Sequence, residues 1–359
     1  MAFLDGMLRA LRRRNGSDLH LAAGLVPRVR VRGRPEPLAD HGVAGATELL
    51  GWLTEVMSVP HQQTFAAERD VDFAYQLEGA GRFRVNCFQQ ANGPAAVFRL
   101  IPEAVQPLHT LGVPPALEQL AQLRSGLILV TGPTGAGKST TLAAIVDRVN
   151  ETTARHIVTI EDPIEFLHTP KQSEFSQREI GRDTPSFAAA LRAAIRQDAD
   201  VILVGELRDP ETIALALLAA EMGCLVFSTL HTNSAAKSID RLVDAFSAEE
   251  QGHIRLMLSE ALVAVVAQIL VPTADGKGRV PVNEILLKTQ ALPNLIRENN
   301  VPMMTTLMQS SRALGMQTMD DHLEQLWKDG VIALDDAVRR AVDRARFERP
   351  SSPRPDDRF

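Results

Sequence analysis

Four short apolar runs punctuate the middle of the chain: Leu127 to Val130, Ile157 to Ile160, Val201 to Val204 and Leu225 to Phe227. Between them lie stretches with helical periodicity, such as Thr140 to Val149, where Leu142, Ile145, Val146 and Val149 fall on one face. Brief runs without apolar–polar alternation fit strands buried on both faces, so the pattern predicts a parallel sheet covered by helices. Each run gives way to a polar cluster. The first leads into Gly132-Pro133-Thr134-Gly135-Ala136-Gly137-Lys138-Ser139, the second into Glu161-Asp162, the third into Gly205-Glu206, and the fourth into Ser228-Thr229-Leu230-His231. In open α/β sheets ligands sit outside the carboxyl ends of the strands, so these clusters are expected to converge on one nucleotide.

Elsewhere the pattern changes. Residues 1–100 alternate strand-like runs, among them Val29 to Gly33 and Arg82 to Phe88, with turn signals, and Leu49 to Phe65 turns helical, giving a small α+β domain. Pro102, Pro107, Gly112, Pro114 and Pro115 mark residues 101–115 as a linker. The second domain is placed at 116–345. Its last part reads as helical: one helix from His253 to Val271, and another from Asp320 to Lys328, with a capping box at Thr318 to Asp321 and a stop at Gly330. Residues 346–359, broken by prolines, are expected to be a disordered tail.

Composition narrows the classes. The 359 residues are 45% hydrophobic, with a net charge of −6. The longest block of like charges is Arg12-Arg13-Arg14, so nothing resembles the basic stripe of a nucleic-acid translocase, and no nucleic-acid partner is expected. The apolar stretch Ala261 to Val271, interrupted by Gln268, is too short to span a bilayer. Met1 to Leu11 is amphipathic, a candidate docking helix that packs either on its own domain or on a membrane surface. Cys87 and Cys224 are the only cysteines, which excludes a disulfide framework and points to a reduced, cytoplasmic compartment.

The glycine-rich segment is a complete phosphate-binding loop. Its glycines let backbone N–H groups turn inward around phosphate, Lys138 reaches the β- and γ-phosphates of ATP, and the Ser139 hydroxyl is placed to ligate Mg²⁺; Thr140 continues into the helix. Hydrolysis also needs the metal held and the attacking water oriented. Glu206 is the candidate metal partner and Glu161 the candidate base, and the reverse assignment stands open. His231 is placed to sense or donate to the γ-phosphate. Arginines are plentiful, and Arg84, Arg99 and Arg241 are candidate fingers; in an oligomer, Arg84 or Arg99 would act on a neighbour's nucleotide.

Taken together these residues resemble the type IV pilus retraction ATPases, the PilT/PilU family of the secretion superfamily. The resemblance runs from Ser17-Asp18-Leu19-His20-Leu21 through Arg82-Phe83-Arg84-Val85-Asn86, Val97-Phe98-Arg99 and the phosphate loop. It continues with an aspartate box at Thr159 to Glu165, a Walker B segment at Val204 to Asp209, a histidine box at Thr229 to Thr232, and Gly315-Met316-Gln317-Thr318. It implies a PAS-like first domain, a RecA-like second domain, and a homohexamer. Such a ring works at the cytoplasmic face of the inner membrane, on a pilus platform protein and in some systems beside a paralogous retraction ATPase. It also implies that Glu161 is the base and Glu206 the Mg²⁺ partner. Extension ATPases of the superfamily carry a four-cysteine zinc site, which two cysteines cannot build. Two departures favour an alternative, a low-activity accessory subunit: Cys224 stands where the family has His, which would remove an imidazole from the γ-phosphate or interface region, and Pro293 interrupts the segment resembling the retraction motif.

Overall fold

A computed structural model describes residues 3–31, 33–101 and 104–348. It divides into two compact units, Met1–Ala104 with Pro163–Leu167, and Val105–Asp162 with His168–Phe359.

The first unit is an α+β domain. Its strands are β1 (Asp18–Ala22), β2 (Arg28–Val31), β3 (Arg34–Pro37), β4 (Asp70–Leu77), β5 (Gly81–Gln90) and β6 (Gly93–Ile101), and its helices α1 (Phe3–Arg13), α2 (Ala46–Val56) and α3 (Val59–Glu68). The sheet is antiparallel, in the order β3-β2-β1-β6-β5-β4. Leu4, Met7, Leu8 and Leu11 of α1 are fully buried in the same core as Leu19, Phe83, Val85 and Phe98. The apolar face of the candidate docking helix is thus used inside its own unit. Asp5, the break in its apolar run, is buried and accepts a hydrogen bond from the Tyr75 hydroxyl at 3.1 Å.

The second unit is built on a seven-stranded sheet, in the order β13-β12-β7-β11-β10-β8-β9. Its strands are β7 (Gly126–Thr131), β8 (His156–Glu161), β9 (Glu174–Glu179), β10 (Val201–Val204), β11 (Leu225–Leu230), β12 (Leu262–Pro272) and β13 (Arg279–Leu287). All pairings are parallel except β12 with β13. The helices are α4 (Ala116–Leu120), α5 (Lys138–Thr152), α6 (Phe187–Ala194), α7 (Pro210–Glu221), α8 (Ala235–Val243), α9 (Gln251–Ala261), α10 (Leu292–Arg297), α11 (Val301–Ser310), α12 (Met319–Lys328), α13 (Leu334–Arg340) and α14 (Ala345–Glu348). Successive side chains of one strand enter different cores: Leu127 and Leu129 pack with α6 to α9, whereas Ile128 and Val130 pack with α4 and α5. That is the reason the central strands read as unbroken apolar runs. The arrangement is the RecA-like α/β sheet.

Three differences from the sequence-based expectations have physical causes. The helix expected from His253 to Val271 ends at Ala261, and Leu262–Pro272 is a strand beside β7. Val263, Val265, Val266, Ile269 and Val271 are β-branched and suit a strand packed on two sides. Much of the segment expected to be a linker packs into the second unit, with Leu108 buried in its core and Val105, Leu111 and Val113 against that core. The first residues of the tail expected from 346 are packed instead: Phe347 is buried, and Arg346 bonds Asp321 at 2.7 Å. Residues 349–359 lie outside the described residues. The capping box of α12 forms as expected: Thr318 Oγ1 accepts from Asp321 N, and Asp321 Oδ2 accepts from Thr318 N, each at 3.2 Å.

Candidate nucleotide site

The phosphate loop joins the end of β7 to the start of α5. Gly132, Gly135 and Gly137 have φ of 146°, 79° and 82°, backbone conformations that other residues adopt only with strain. A Cβ on Gly132 would lie 2.2 Å from the carbonyl oxygen of Gln268, so that position admits nothing larger than glycine. Gly137 caps α5 without a side chain, which leaves the first-turn N–H groups of a 15-residue helix directed at the loop. Lys138 is buried, and its Nζ donates to the carbonyls of Gly132 at 2.8 Å and Pro133 at 3.1 Å. The ammonium is therefore held against the loop itself. These features together form a cradle suited to an anion.

The other clusters gather at the same edge of the sheet. Val204 lies in register with Ile160 on one side and Ser228 on the other, which brings Glu161, Gly205 and Thr229 level. Gly205 N donates to the Ile160 carbonyl at 2.8 Å, and Thr229 Oγ1 to the Gly205 carbonyl at 2.6 Å, fixing the path of the chain into Glu206. The Glu161 carboxylate accepts from Thr159 Oγ1 at 2.8 Å. Glu206 is paired with Arg208 and lies 3.5 Å from His231 Nε2. Glu206, Arg208, His231 and Arg241 line one cavity of about 420 Å³. Of the candidate fingers, Arg241 is therefore at its own chain's Glu206 and His231. Arg84 and Arg99 belong to the first unit, where carboxylates hold them. Arg99 Nε donates to Asp18 at 2.8 Å, and Arg84 lies 3.8 Å from Asp72 and 3.7 Å from Glu165. Burial alone would raise the Asp18 pKa, but the bonds from Arg99 and Ser17 outweigh it and hold the carboxyl below its ordinary range.

Residues 67–339 match the family model for "Type II/IV secretion system protein". The chain is 50% identical to the "Twitching motility protein" of Neisseria gonorrhoeae over 315 residues, 88% of this chain and 84% of that protein. It is 47% identical to "Type IV pilus retractation ATPase PilT" of Pseudomonas aeruginosa, across 92% of this chain and 95% of that one. The crystal structure of the pilus retraction motor PilT with bound ADP superposes with a TM-score of 0.88 at 43% identity, over 97% of this chain and 99% of that one. The chain belongs to the type IV pilus retraction ATPase family. It is a P-loop ATP hydrolase.

For a retraction ATPase the two departures in sequence take on a different meaning in space. Cys224 immediately precedes β11, whereas His231 comes just after it. At about 3.3 Å per strand residue, the thiol lies roughly 20 Å from the histidine, at the opposite ends of the parallel strands. The Cys224 Sγ donates instead to the Ala199 carbonyl at 3.2 Å, and burial together with the nearby Asp200 raises its pKa. The thiol therefore stands at the other end of β11 from His231. Pro293 stands in the first turn of α10, where a helix has no internal partner for an N–H, so it starts the helix without breaking a bond.

One residue of this retraction ATPase is not singled out by the sequence pattern. Gln268 is buried beneath the phosphate loop, with Nε2 donating to the Ala136 carbonyl at 2.7 Å. Its signal is the single polar residue inside Ala261 to Val271, a position that makes sense only once the segment is a strand neighbouring β7.

Proposed function

We propose that this chain is the motor that converts ATP hydrolysis into retraction of type IV pili. The observation that carries the reading is the convergence of the phosphate loop, Glu161, Glu206 and His231 at the carboxyl edge of one parallel sheet, on a chain with this family membership. Lys138, together with the backbone N–H groups of Gly135 and of Gly137 to Thr140, binds and neutralises the β- and γ-phosphates. The Ser139 hydroxyl and the Glu206 carboxylate are hard oxygen donors and fit Mg²⁺; the ion, when bound, offsets charge on the phosphates. Glu161 orients and deprotonates the attacking water, while Thr159 steadies its carboxylate. His231, beside Glu206, reports the presence of the γ-phosphate to the strand end it occupies.

The working form is a homohexamer, peripheral at the cytoplasmic face of the inner membrane, acting on the pilus platform protein and, where one exists, beside a paralogous retraction ATPase. Within the ring Arg241 serves its own nucleotide, and Arg84 or Arg99 reaches a neighbour's. Each of those two must leave or share its carboxylate partner to do so. With Cys224 at the other end of β11 from His231 and Pro293 harmless to its helix, neither departure weakens the chain's own nucleotide site, and the accessory-subunit alternative keeps only the contacts between subunits as its route.

Steady-state Mg-ATP hydrolysis by the purified full-length protein, with Glu161→Gln as control, tests the reading. Turnover that the substitution abolishes is the expected result. Turnover that survives it would remove Glu161 as base, and no turnover in the natural chain would remove the autonomous motor.

A further inference from the structure

The flank of the phosphate loop opposite the reactive strand ends is a chain of buried amides. Gln268 is 1% exposed and Asn283 fully buried. The Gln268 carboxamide donates to Ala136 O at 2.7 Å, and its Oε1 accepts from Thr141 Oγ1 and from Asn283 Nδ2, each at 3.0 Å. One side chain thus grips the loop and the first turns of α5 at once. It also fills the space beside the loop: a Cβ on Gly137 would come within 3.1 Å of Gln268 Nε2. The chain of bonds continues outward. The Asn283 backbone N–H donates to His322 Nδ1 on α12 at 2.9 Å, and its carbonyl accepts from Gln317 Nε2, just before α12, at 2.8 Å.

We propose that Gln268 is a positioning residue for nucleotide, holding the phosphate loop in its binding conformation, and that through Asn283 it conveys the state of the loop to α12. The physical case rests on direction. A peptide unit in the loop can point either its N–H or its carbonyl at the phosphate, and only the first attracts an anion. By engaging the Ala136 carbonyl from below, Gln268 turns the Ala136–Gly137 peptide so that its N–H faces away from β12. A buried carbonyl deprived of that donor would find a new partner only by rotating, which takes the cradle with it. A neutral amide suits the task because a charge at this depth would compete with Lys138 and with the ligand.

The proposal rests on the nucleotide-binding reading, and its test separates the two. Binding of a fluorescent ADP analogue and backbone hydrogen exchange are measured on the full-length natural protein and on Gln268→Leu, which keeps much of the volume and removes the amide. The natural chain is expected to bind, and binding is expected to slow exchange at Asn283 and in α12. Gln268→Leu is expected to raise the Kd and the KM for ATP at least tenfold, leave kcat within about threefold, and abolish the remote protection. If Gln268→Leu does not fold, Thr141→Val, which removes one donor to the same amide, is expected to raise the Kd two- to fivefold. Kd within twofold of the natural value in the folded variants overturns the positioning role. A raised Kd with α12 still protected by nucleotide overturns the relay. Failure of the natural protein to bind would instead overturn the nucleotide-binding reading itself.

Discussion

The phosphate loop has two flanks made of different materials. On the β11–β10–β8 side stand Glu161, Glu206 and His231, with Glu206 and His231 sharing an open cavity with two arginines. On the β12–β13 side stand Gln268, Asn283 and His322, with neutral amides joined by hydrogen bonds out of reach of solvent. The difference comes from desolvation. The carboxylates and the imidazole on the first side keep access to water, whereas groups that only fix geometry can be buried if they are neutral and hydrogen-bonded, as Gln268 is; Asn283 is bonded through its Nδ2, N–H and carbonyl but leaves its Oδ1 without a partner among the described residues. Chemistry and support are therefore separated across one strand, β7.

Two substitutions should break the reactive flank and the supporting flank in different ways. Lys138→Ala removes the cation from the cradle and is expected to lower kcat/KM at least a thousandfold, about 4 kcal/mol of transition-state stabilisation, with a smaller loss of folding stability of about 1 kcal/mol as the Gly132 and Pro133 carbonyls lose the ammonium as donor. Gly132→Ala should do both kinds of damage. Its Cβ would meet the backbone of β12 at 2.2 Å, and its φ of 146° is unsuited to alanine. Thermal and denaturant unfolding should show a loss of about 3 kcal/mol, with nucleotide affinity falling in parallel. A stable Gly132→Ala that binds normally would mean that β12 yields, and that the supporting flank is softer than it looks.

The supporting flank also carries a pH signature. His322 is buried, which lowers its pKa to about 4, and its Nδ1 accepts the Asn283 N–H, a role the imidazolium cannot fill. The unfolded chain takes up a proton near pH 6.5 that the folded chain refuses until about pH 4. Stability is thus complete above pH 6.5 and is lost as the pH falls through that window, by about 3 kcal/mol from this residue in full. His168, half-buried and stacked on Phe175, has its pKa lowered to about 4 by desolvation and adds a loss of the same sign. Urea unfolding at pH 7 and pH 4.5 reads the sum, and His322→Gln should flatten part of the slope.

The two flanks are also unequally legible from sequence. The reactive one announces itself because each polar cluster comes directly after a short apolar run, so a single rule about strand ends places Lys138, Glu161, Glu206 and His231 together. The supporting one lies in a continuous apolar segment, Ala261 to Val271, whose helix and strand readings the period alone does not separate. Its partner β13 contains Pro281, which argues against a strand until the strand is seen to be at the sheet's edge. At the other edge β9, Glu-Phe-Ser-Gln-Arg-Glu, has too few apolar residues to signal at all. The capping box of α12 is readable because it is local; the bond from Asn283 to His322 spans 39 residues and is not.

The smallest expected effect is the most pointed. Cys224→His introduces the residue that the family resemblance leads one to expect, and if activity were set by an imidazole near the γ-phosphate, hydrolysis should rise several-fold. The geometry assigns that position to the amino ends of the strands, with its thiol bonded to Ala199 and the sheet's whole depth between it and Glu206. The substitution is therefore expected to change kcat by less than about twofold, within the range of surface changes remote from a site, while costing up to about 1 kcal/mol for a larger ring in a half-buried place. A several-fold increase measured in the assembled protein, and absent in dilute protein, would place this residue at a contact between copies. Its influence would then run through the ring rather than through its own chain's nucleotide.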